Sequence, residues 1–383
     1  MICQTVYYMY YRISLRINFK FKNDYLNKLN YLNKMASEKK TFQKKKKLGQ
    51  FFTTNHEYIL RDMKISPTIK NIIEPFCGDG DLVSFIKSQQ SKAKIECYDI
   101  DPKQDFITKR DTIKNPPNYN GKYVITNPPY LARNKSDTKE LFEQYDCNDL
   151  YKCFIKELCS NYCIGGIIIV PLNFWCSIRK NDIDLRRLFL QEYTVNLINI
   201  FEEKVFDDTG YTVCSFQFER KEKDEEKDEI NINIYPSNKK IKTVLKETNN
   251  YMIGGDIYHL ETKNYKITRL TSKNIDEKNT NILVKCIDDS EEKKICLSYV
   301  SEKDIYIDKT PNLSSRTYAT LVIDPSINEE KQKWLVESFN EFLNTYRDKY
   351  HSLFLANYRE SKDIARKRIS FDLVYQICSY LLD

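Results

Sequence analysis

The chain has no hydrophobic run long enough to cross a membrane. Its longest apolar stretch, "IGGIIIVPL" at 164–172, is well short of the roughly 20 residues that a bilayer span requires. The N-terminus also lacks an apolar signal core, because Arg12, Arg16, Lys20 and Lys22 interrupt it. These absences argue against a membrane or secreted protein, and we expect a cytoplasmic protein with no membrane partner.

Histidines and paired cysteines are also scarce. The chain has three histidines in 383 residues, and none of its twelve cysteines forms a Cys-x-x-Cys pair. Cys147, Cys153, Cys159 and Cys163 lie close together in the sequence, but three of them fall in a segment that looks helical. Without an export signal or ligand spacing, we expect buried free thiols and predict no metal site.

The body of the protein has no excess of positive charge. Residues 1–48 hold twelve Lys and Arg against two acidic residues, which leaves a net charge of −3 for the remaining 335 residues. Overall basicity is therefore no evidence that the folded part binds nucleic acid. We predict that this basic N-terminal extension is disordered, and Met35 is an alternative start to Met1.

From about residue 69, short apolar runs alternate with helical patterns. Runs such as "KYVITNPPY" and "GGIIIVPLNFW" are apolar on both faces, as in strands of a parallel sheet that helices cover on both sides. This pattern predicts an α/β fold with a doubly wound, mostly parallel sheet. The segment 212–220 alternates and is expected to add an edge strand.

The charged run "RKEKDEEKDE" at 220–229 predicts a linker after this sheet. The next segment is mixed and rich in strand patterns, and Pro325 and Ser326 followed by Glu329 predict the start of a capped helix. We expect four parts: the extension 1–48, an α/β domain 49–220, a mixed α+β region 221–325 and a helical segment 326–383.

Three local patterns fall where strands of such a sheet end, which is where ligands bind. "IIEPFCGDGDLVSF" is a strand, a turn with Gly78 and Gly80, and a helix, and its glycines let backbone approach a ligand. It is not a phosphate loop, because the Gly-Lys-Ser/Thr ending is missing. Asp99 ends the next strand about 20 residues later, where an acid typically accepts hydrogen bonds from a ribose.

The third pattern is "ITNPPY" at 125–130. Proline forces the residue before it into an extended conformation, and neither Pro128 nor Pro129 has an amide hydrogen. The turn therefore presents the Asn127 side-chain oxygen and the Pro128 carbonyl as acceptors for a planar amino group. Tyr130 offers a flat ring on which a base can stack. The alternative is a turn with an ordinary surface tyrosine.

Together these residues resemble the S-adenosylmethionine-dependent amino-methyltransferases, and most closely the γ-type adenine-N6 DNA methyltransferases. The resemblance covers roughly residues 48–220. It implies a Rossmann-like fold, S-adenosylmethionine as cofactor and double-stranded DNA as substrate, which matches the mostly parallel sheet predicted above. It also implies a target-recognition role for 221–325, a cognate restriction endonuclease as a further partner, and a monomer.

The resemblance also assigns roles to individual residues. Thr53 in "GQFFTT" corresponds to the partner of the methionine carboxylate, although Thr54 replaces the proline that many members have. Asp111 corresponds to the acid that reaches the adenine amino group of the cofactor. The implied cofactor-binding residues are Thr53, Glu74, Phe76, Gly78, Gly80, Asp99, Ile100 and Asp111.

The implied catalytic residues are Asn127, Pro128, Pro129 and Tyr130. Phe206 in "EKVFDDTGYTVCSF" corresponds to an aromatic residue that closes on the extruded base together with Tyr130, and a core phenylalanine is the alternative. A basic segment near the C-terminus contacts DNA phosphates or forms a solvated helix face. Its basic residues are Arg359, Lys362, Arg366, Lys367 and Arg368.

Other substrates fit the same pattern. Asn-Pro-Pro-Tyr also occurs in enzymes that methylate a glutamine of release factors and in some RNA adenine methyltransferases. Those enzymes usually lack a module as large as the one predicted after residue 220. A DNA-binding or specificity subunit that has lost the reaction is a further alternative, against which Gly78, Gly80, Asp99 and Asn127 argue.

Overall fold

The protein's structure is a computed structural model that describes residues 48–50, 53–206, 211–222, 229–288, 294–310, 317–358 and 366–383. The chain divides into two units, Met1–Gln50 and Phe51–Asp383. All strands and helices given below lie in the second unit. The disorder predicted for the N-terminal extension falls on residues 1–47, outside the described residues.

A nine-stranded sheet occupies the first half of the described chain. Its strands are β1 (Asn71–Glu74), β2 (Lys94–Asp99), β3 (Thr108–Lys109), β4 (Tyr123–Thr126), β5 (Gly165–Pro171), β6 (Tyr193–Phe201), β7 (Val213–Arg220), β8 (Glu229–Tyr235) and β9 (Lys239–Val244). Their spatial order is β3-β2-β1-β4-β5-β7-β6-β8-β9. Strands β1 to β5 pair in parallel, β7 runs antiparallel between β5 and β6, β8 is parallel to β6, and β9 is antiparallel to β8.

This topology confirms the predicted fold class, a doubly wound, mostly parallel, Rossmann-like α/β sheet. Strands β4 and β5 are buried along their whole length, which explains why both read as continuous apolar runs. The strand order reverses between β1 and β4, because the chain builds outward to β3 on one side and to β5 on the other. Such a switch point opens a crevice at the carboxyl ends of the two strands.

Short and medium helices connect these strands. They are α1 (His56–Ile59), α2 (Asp81–Gln89), α3 (Glu140–Gln144), α4 (Leu150–Asn161), α5 (Asn173–Cys176) and α6 (Lys180–Glu192). The apolar positions of α2 and α4 follow helical spacing and are buried. Cys147, Cys153, Cys159 and Cys163 are buried thiols in and beside α4, as expected.

The prediction that residues 212–220 add an edge strand is wrong, because β7 lies between β5 and β6. Two of its alternating polar residues, Ser215 and Gln217, bond to a covering backbone segment, and Glu219 is exposed. The Ser215 hydroxyl donates to the Ile59 carbonyl at 2.6 Å, and the Gln217 amide donates to the Lys64 carbonyl at 2.8 Å. The segment around α1 thus covers this face of the sheet and supplies acceptors for the polar positions. The sheet also continues to Val244, so the predicted boundary at 220 falls between two of its strands.

The second half forms two smaller antiparallel sheets. One contains β10 (Lys266–Arg269), β11 (Ile282–Lys285), β13 (Cys296–Tyr299) and β14 (Tyr318–Asp324) in the order β10-β14-β11-β13, and the other contains β12 (Ile287–Asp288), β15 (Ala356–Tyr358) and β16 (Arg366–Arg368) in the order β12-β16-β15. Short 3-10 segments lie at Arg133–Lys135, Glu247–Asn249, Gly255–His259, Ile275–Glu277 and Glu302–Asp304.

Two helices accompany these sheets: α7 (Glu329–Tyr350), which packs on β13, and α8 (Phe371–Leu382), which packs on β10. Helix α7 begins at Glu329, and the Asn328 side chain caps it by accepting from the Lys331 N–H at 2.8 Å. The cap is therefore Asn328 rather than Ser326. Across the described ranges, no helix combines the length and apolar character needed to cross a membrane.

Candidate functional site

The carboxyl end of β1 carries a fully buried acid. Glu74 Oε1 accepts from the Phe76 N–H at 3.0 Å and from the Thr126 hydroxyl at 2.5 Å. Glu74 Oε2 is buried and has no hydrogen-bond partner among the described residues. A buried carboxyl oxygen that lacks a partner is unfavourable, so this position is ready to form a hydrogen bond with a ligand.

Burial raises the pKa of Glu74 well above its ordinary value, although the bonds from Thr126 and Phe76 act in the opposite direction. The folded protein therefore holds a proton that the unfolded chain has already released. The free energy of unfolding should fall as pH rises from the ordinary pKa of a glutamate towards this raised value.

We expect Glu74→Gln to remove this pH dependence in the cofactor-free protein. The glutamine Oε1 still accepts from Thr126 and Phe76, while no charge has to be buried. The melting temperature of the variant should match or exceed that of the wild type at pH 8, and the difference should shrink at pH 5. Thermal melts at both pH values, with exposed Glu57→Gln as control, test this, and a Glu74→Gln protein that is less stable at pH 8 contradicts it.

The glycine turn after β1 is attached to the end of β2. Gly78 and Gly80 have φ of +55° and +92°, which favour glycine, and a Cβ on Gly80 would lie 3.0 Å from the Phe106 ring. Asp99 Oδ2 accepts from the Gly78 N–H at 2.9 Å, and Asp99 Oδ1 accepts from the Asp101 N–H at 2.7 Å. These two bonds fix the Asp99 carboxylate beside the glycine turn.

Three other predicted cofactor residues border this turn. Ile100, directly after β2, is 40% exposed. Its apolar side chain could therefore cover one face of a flat ring. Phe76 packs edge-on against Phe154. Asp111 Oδ1 accepts from the Lys114 N–H at 3.1 Å in the turn after β3. The neighbouring Thr112 hydroxyl donates to the Pro75 carbonyl at 2.9 Å, which holds this turn beside the glycines.

Asn127 follows β4, directly across the switch point from Glu74. It is 8% exposed, and its Nδ2 donates to the Thr53 hydroxyl at 3.1 Å. The Tyr130 hydroxyl contacts both Asn127 Oδ1 and the Ile169 carbonyl, the latter at 2.9 Å. Positions 53, 127 and 169, far apart in the sequence, thus meet at one edge of the sheet.

The two aromatic residues predicted to stack on a base are buried in this structure. Tyr130 is 3% exposed, and its ring meets those of Tyr151 and Tyr211 edge-on at centroid distances of 6.0 and 6.3 Å. Burial raises the pKa of Tyr130 well above its ordinary value, so its hydroxyl stays protonated and donates. Phe206 is 4% exposed and belongs to the main core. Neither ring offers a free face here, because long-range packing covers both.

A second Asn-Pro-Pro sequence occurs at 115–117, and the structure separates it from the first. Asn115 is exposed, and Arg110 donates to the carbonyls of Asn115 and Pro116 at 2.8 and 2.9 Å. Its backbone acceptors are thus occupied by a guanidinium. Asn127, by contrast, directly follows β4 and therefore lies at the switch point.

The predicted phosphate contacts are only partly described. Arg359 and Lys362 lie outside the described residues, and only the backbone of Arg366 is described, in β16. Lys367 is 6% exposed, because β16 is paired on both sides with β12 and β15. It therefore does not present its ammonium group at the surface, and Arg368 is partly buried.

A cleft of about 950 Å³ lies at the opposite edge of the sheet. It is bordered by the starts of β4 and β5 and by the segment 62–69. Polar side chains in its wall bond to one another, as Gln217 does to the Tyr123 hydroxyl at 3.2 Å. Ligands of open parallel sheets bind at the carboxyl edge, so this cleft is not the candidate site.

Sequence reasoning missed two residues of the site. Thr126 supplies a donor to Glu74, and its position directly before Asn127 was the available signal. Asp149 bonds to the backbone just after Tyr130. Its only sequence signal is its place before an amphipathic helix.

No protein-family model matches this chain, and no curated protein sequence does. Among solved structures, the chain is similar to the M protein of the type I restriction enzyme EcoKI, with 15% identity over 78% of this chain and 72% of that one and a TM-score of 0.38. It is also similar to the modification subunit of a proposed type I restriction enzyme from Vibrio vulnificus YJ016, with 13% identity over 49% and 47% and a TM-score of 0.39.

A third similar structure is a proposed class I S-adenosylmethionine-dependent methyltransferase from Listeria monocytogenes, with 13% identity over 47% of this chain and 61% of that one and a TM-score of 0.35. The chain spans about half of the length of the Vibrio vulnificus protein and less than two thirds of the Listeria one. Its function is therefore inferred below from its own residues.

Proposed function

We propose that the protein is an S-adenosylmethionine-dependent DNA methyltransferase that acts on the N6 amino group of adenine. One observation carries this proposal. Thr53 and Glu74, both predicted to hold the cofactor, are hydrogen-bonded directly to Asn127 and Thr126, the turn predicted to hold the amine. A cofactor site and an acceptor site that share hydrogen bonds at a switch point are the arrangement that a direct transfer requires.

The residues present fit the cofactor. The buried Glu74 Oε2 has no hydrogen-bond partner among the described residues and can bond to a ligand, and the Asp99 carboxylate is fixed beside the glycine turn. Gly78 and Gly80 have no side chains, so a nucleoside can approach the backbone of the turn closely. Ile100 offers an apolar surface to an adenine ring. S-adenosylmethionine, when bound, supplies a methyl group on a sulfonium centre.

Asn127 and Pro128 bind and orient the amine. A planar exocyclic amine is a poor nucleophile, because its lone pair is delocalised into the ring. Two acceptors, Asn127 Oδ1 and the Pro128 carbonyl, engage both of its N–H bonds and fix its direction. The Tyr130 hydroxyl that contacts Asn127 Oδ1 has a second acceptor in the Ile169 carbonyl, so it can yield the position without losing its hydrogen bond.

Adenine must leave the duplex before its amino group can reach this turn, because the group is otherwise paired and stacked. We propose that Tyr130 and Phe206 then stack on the extruded base, which requires the side chains that now cover both rings to move away. We also propose that residues 221–325 read the target sequence and that basic C-terminal residues other than the buried Lys367 contact phosphates. The reaction needs no general base with a tuned pKa, which agrees with the scarcity of histidine.

Transfer of a labelled methyl group tests the proposal. The purified full chain is incubated with tritiated S-adenosylmethionine and, separately, plasmid DNA, RNA or a release factor. We expect label in DNA, loss of that label in Asn127→Ala and full retention in Asn115→Ala. Label in RNA or in the release factor alone contradicts the substrate assignment, and DNA binding without cofactor binding in calorimetry supports a non-catalytic subunit instead.

A further inference from the structure

Asp149 lies directly behind the turn proposed to hold the amine. The Leu131 N–H, next after Tyr130, donates to Asp149 Oδ1 at 3.0 Å. The Leu150 N–H in turn donates to the Leu131 carbonyl at 3.2 Å, and the Arg133 N–H donates to the Asn148 carbonyl at 2.9 Å. Residues 131–133 and 148–150 therefore run antiparallel and form a short brace under residues 127–130.

Burial opposes the charged form of Asp149, and neighbouring N–H groups and Lys152 favour it. The backbone N–H groups of Leu150 and Tyr151 favour the charge, as expected at the N-terminus of α4. Lys152 also favours it, but the Lys152 ammonium is already bonded to Asp182 and to the Asn148 side chain. Burial, with a contribution from Asp149, raises the pKa of Tyr130 and of Tyr151, so both hydroxyl groups near Asp149 stay neutral. Arg186 on α6 bonds to backbone carbonyls.

We propose that Asp149 is a positioning residue for the amine-holding turn, and that only its ionised carboxylate holds residues 127–131 in the orientation that transfer requires. The inference rests on the proposed function. The carboxylate acts through the Leu131 backbone and does not touch the amine. A protonated carboxyl group would place an O–H donor opposite the backbone N–H donors of Leu150 and Tyr151. Two donors cannot form a hydrogen bond with each other.

Burial raises the pKa of Asp149 to about 7, while Lys152 and the backbone N–H groups act in the opposite direction. Between its ordinary value and about 7, the folded protein therefore holds a proton that the unfolded chain has released. The free energy of unfolding contributed by this group falls as pH rises through that interval. Turnover has the opposite dependence, because the ionised form gains population as pH rises through about 7.

Asp149→Asn removes the ionisable group and so tests whether its charge is needed for turnover. The asparagine Oδ1 can accept from Leu131, but its Nδ2 then faces the N–H groups of Leu150 and Tyr151, donor against donor. At pH 8 we expect kcat for DNA methylation to fall about 10- to 100-fold, as for a small misplacement of a reacting group, with KM for S-adenosylmethionine within twofold of the wild type.

The decisive readout is the profile of kcat between pH 5.5 and 9. The wild type should show an inflection near 7 that Asp149→Asn lacks, and Asp146→Asn, an exposed aspartate three residues earlier, should keep the wild-type profile. The same inflection in Asp149→Asn, or a rise of KM with unchanged kcat, overturns the inference. A wild type without any methyl transfer overturns the proposed function instead.

Hydrogen exchange tests the brace without activity and without a variant. In the wild type, the peptide that contains Leu131 should lose protection between pH 8 and pH 6, after correction for the intrinsic exchange rate. A peptide from β5 serves as the internal reference and should not change. Equal protection of the Leu131 peptide at both pH values overturns the inference, whatever the kinetics show.

Discussion

Asn127→Ala is expected to lower kcat by about 100- to 1,000-fold, the range seen when a preorganised hydrogen-bonding group is removed from a transition-state site. Alanine removes an acceptor of the reacting amine and one donor to the Thr53 hydroxyl, and it leaves Glu74, Asp99 and the glycine turn intact. The dissociation constant of S-adenosylmethionine should therefore change little, since Asn127 acts on the amine. Single-turnover methylation of DNA and calorimetry with the cofactor measure the two quantities.

The chain supplies its own matched control in Asn115→Ala, within the second Asn-Pro-Pro sequence. Asn115 is exposed, and its backbone is held by Arg110. The control should retain wild-type kcat and affinity. An equal loss of cofactor affinity and turnover in Asn127→Ala would contradict the assignment of this side chain to the amine, and loss of activity in Asn115→Ala would show that the assay reports general instability.

Asp99→Ala is expected to weaken S-adenosylmethionine binding by about 10- to 100-fold, because hydrogen bonds to a charged group contribute about 1.5–3 kcal/mol. The substitution releases the Gly78 and Asp101 N–H groups, so it both loosens the glycine turn and removes the acceptor for the ribose. At saturating cofactor, kcat should be close to that of the wild type. Calorimetry and initial rates over a range of cofactor concentrations check this split.

Asp105→Ala is the appropriate control, since Asp105 is exposed in the loop that follows β2. It should bind the cofactor as the wild type does. Binding by Asp99→Ala within twofold of the wild type, in a protein whose melting temperature shows that it is folded, would remove Asp99 from the cofactor site.

The strands that carry the site could be predicted because their signals are local. β1 and β2 end in Glu74 and Asp99, Asn127 directly follows β4, and the helix after Gly80 begins where the glycine turn predicts. Parallel strands that are buried on both faces leave a continuous apolar pattern in the sequence. The residue types at their carboxyl ends then predict a candidate site at that edge without knowledge of the rest of the fold.

The features that could not be predicted depend on contacts distant in sequence. Polar alternation in β7 indicated a solvent-facing edge, whereas Ser215 and Gln217 bond to a backbone segment about 150 residues earlier. The burial of Tyr130 depends likewise on Tyr211 and on the Ile169 carbonyl. No local pattern distinguishes a side chain that is polar because it faces water from one that bonds to a covering segment.

Single-molecule sequencing of DNA from cells that express the protein, in a host without adenine methylation of its own, tests the central claim most directly. The account predicts N6-methyladenine at one defined sequence in cells with the wild type and with Asn115→Ala, and none in cells with Asn127→Ala. Methylation that persists in Asn127→Ala, or that falls on cytosine, would contradict it.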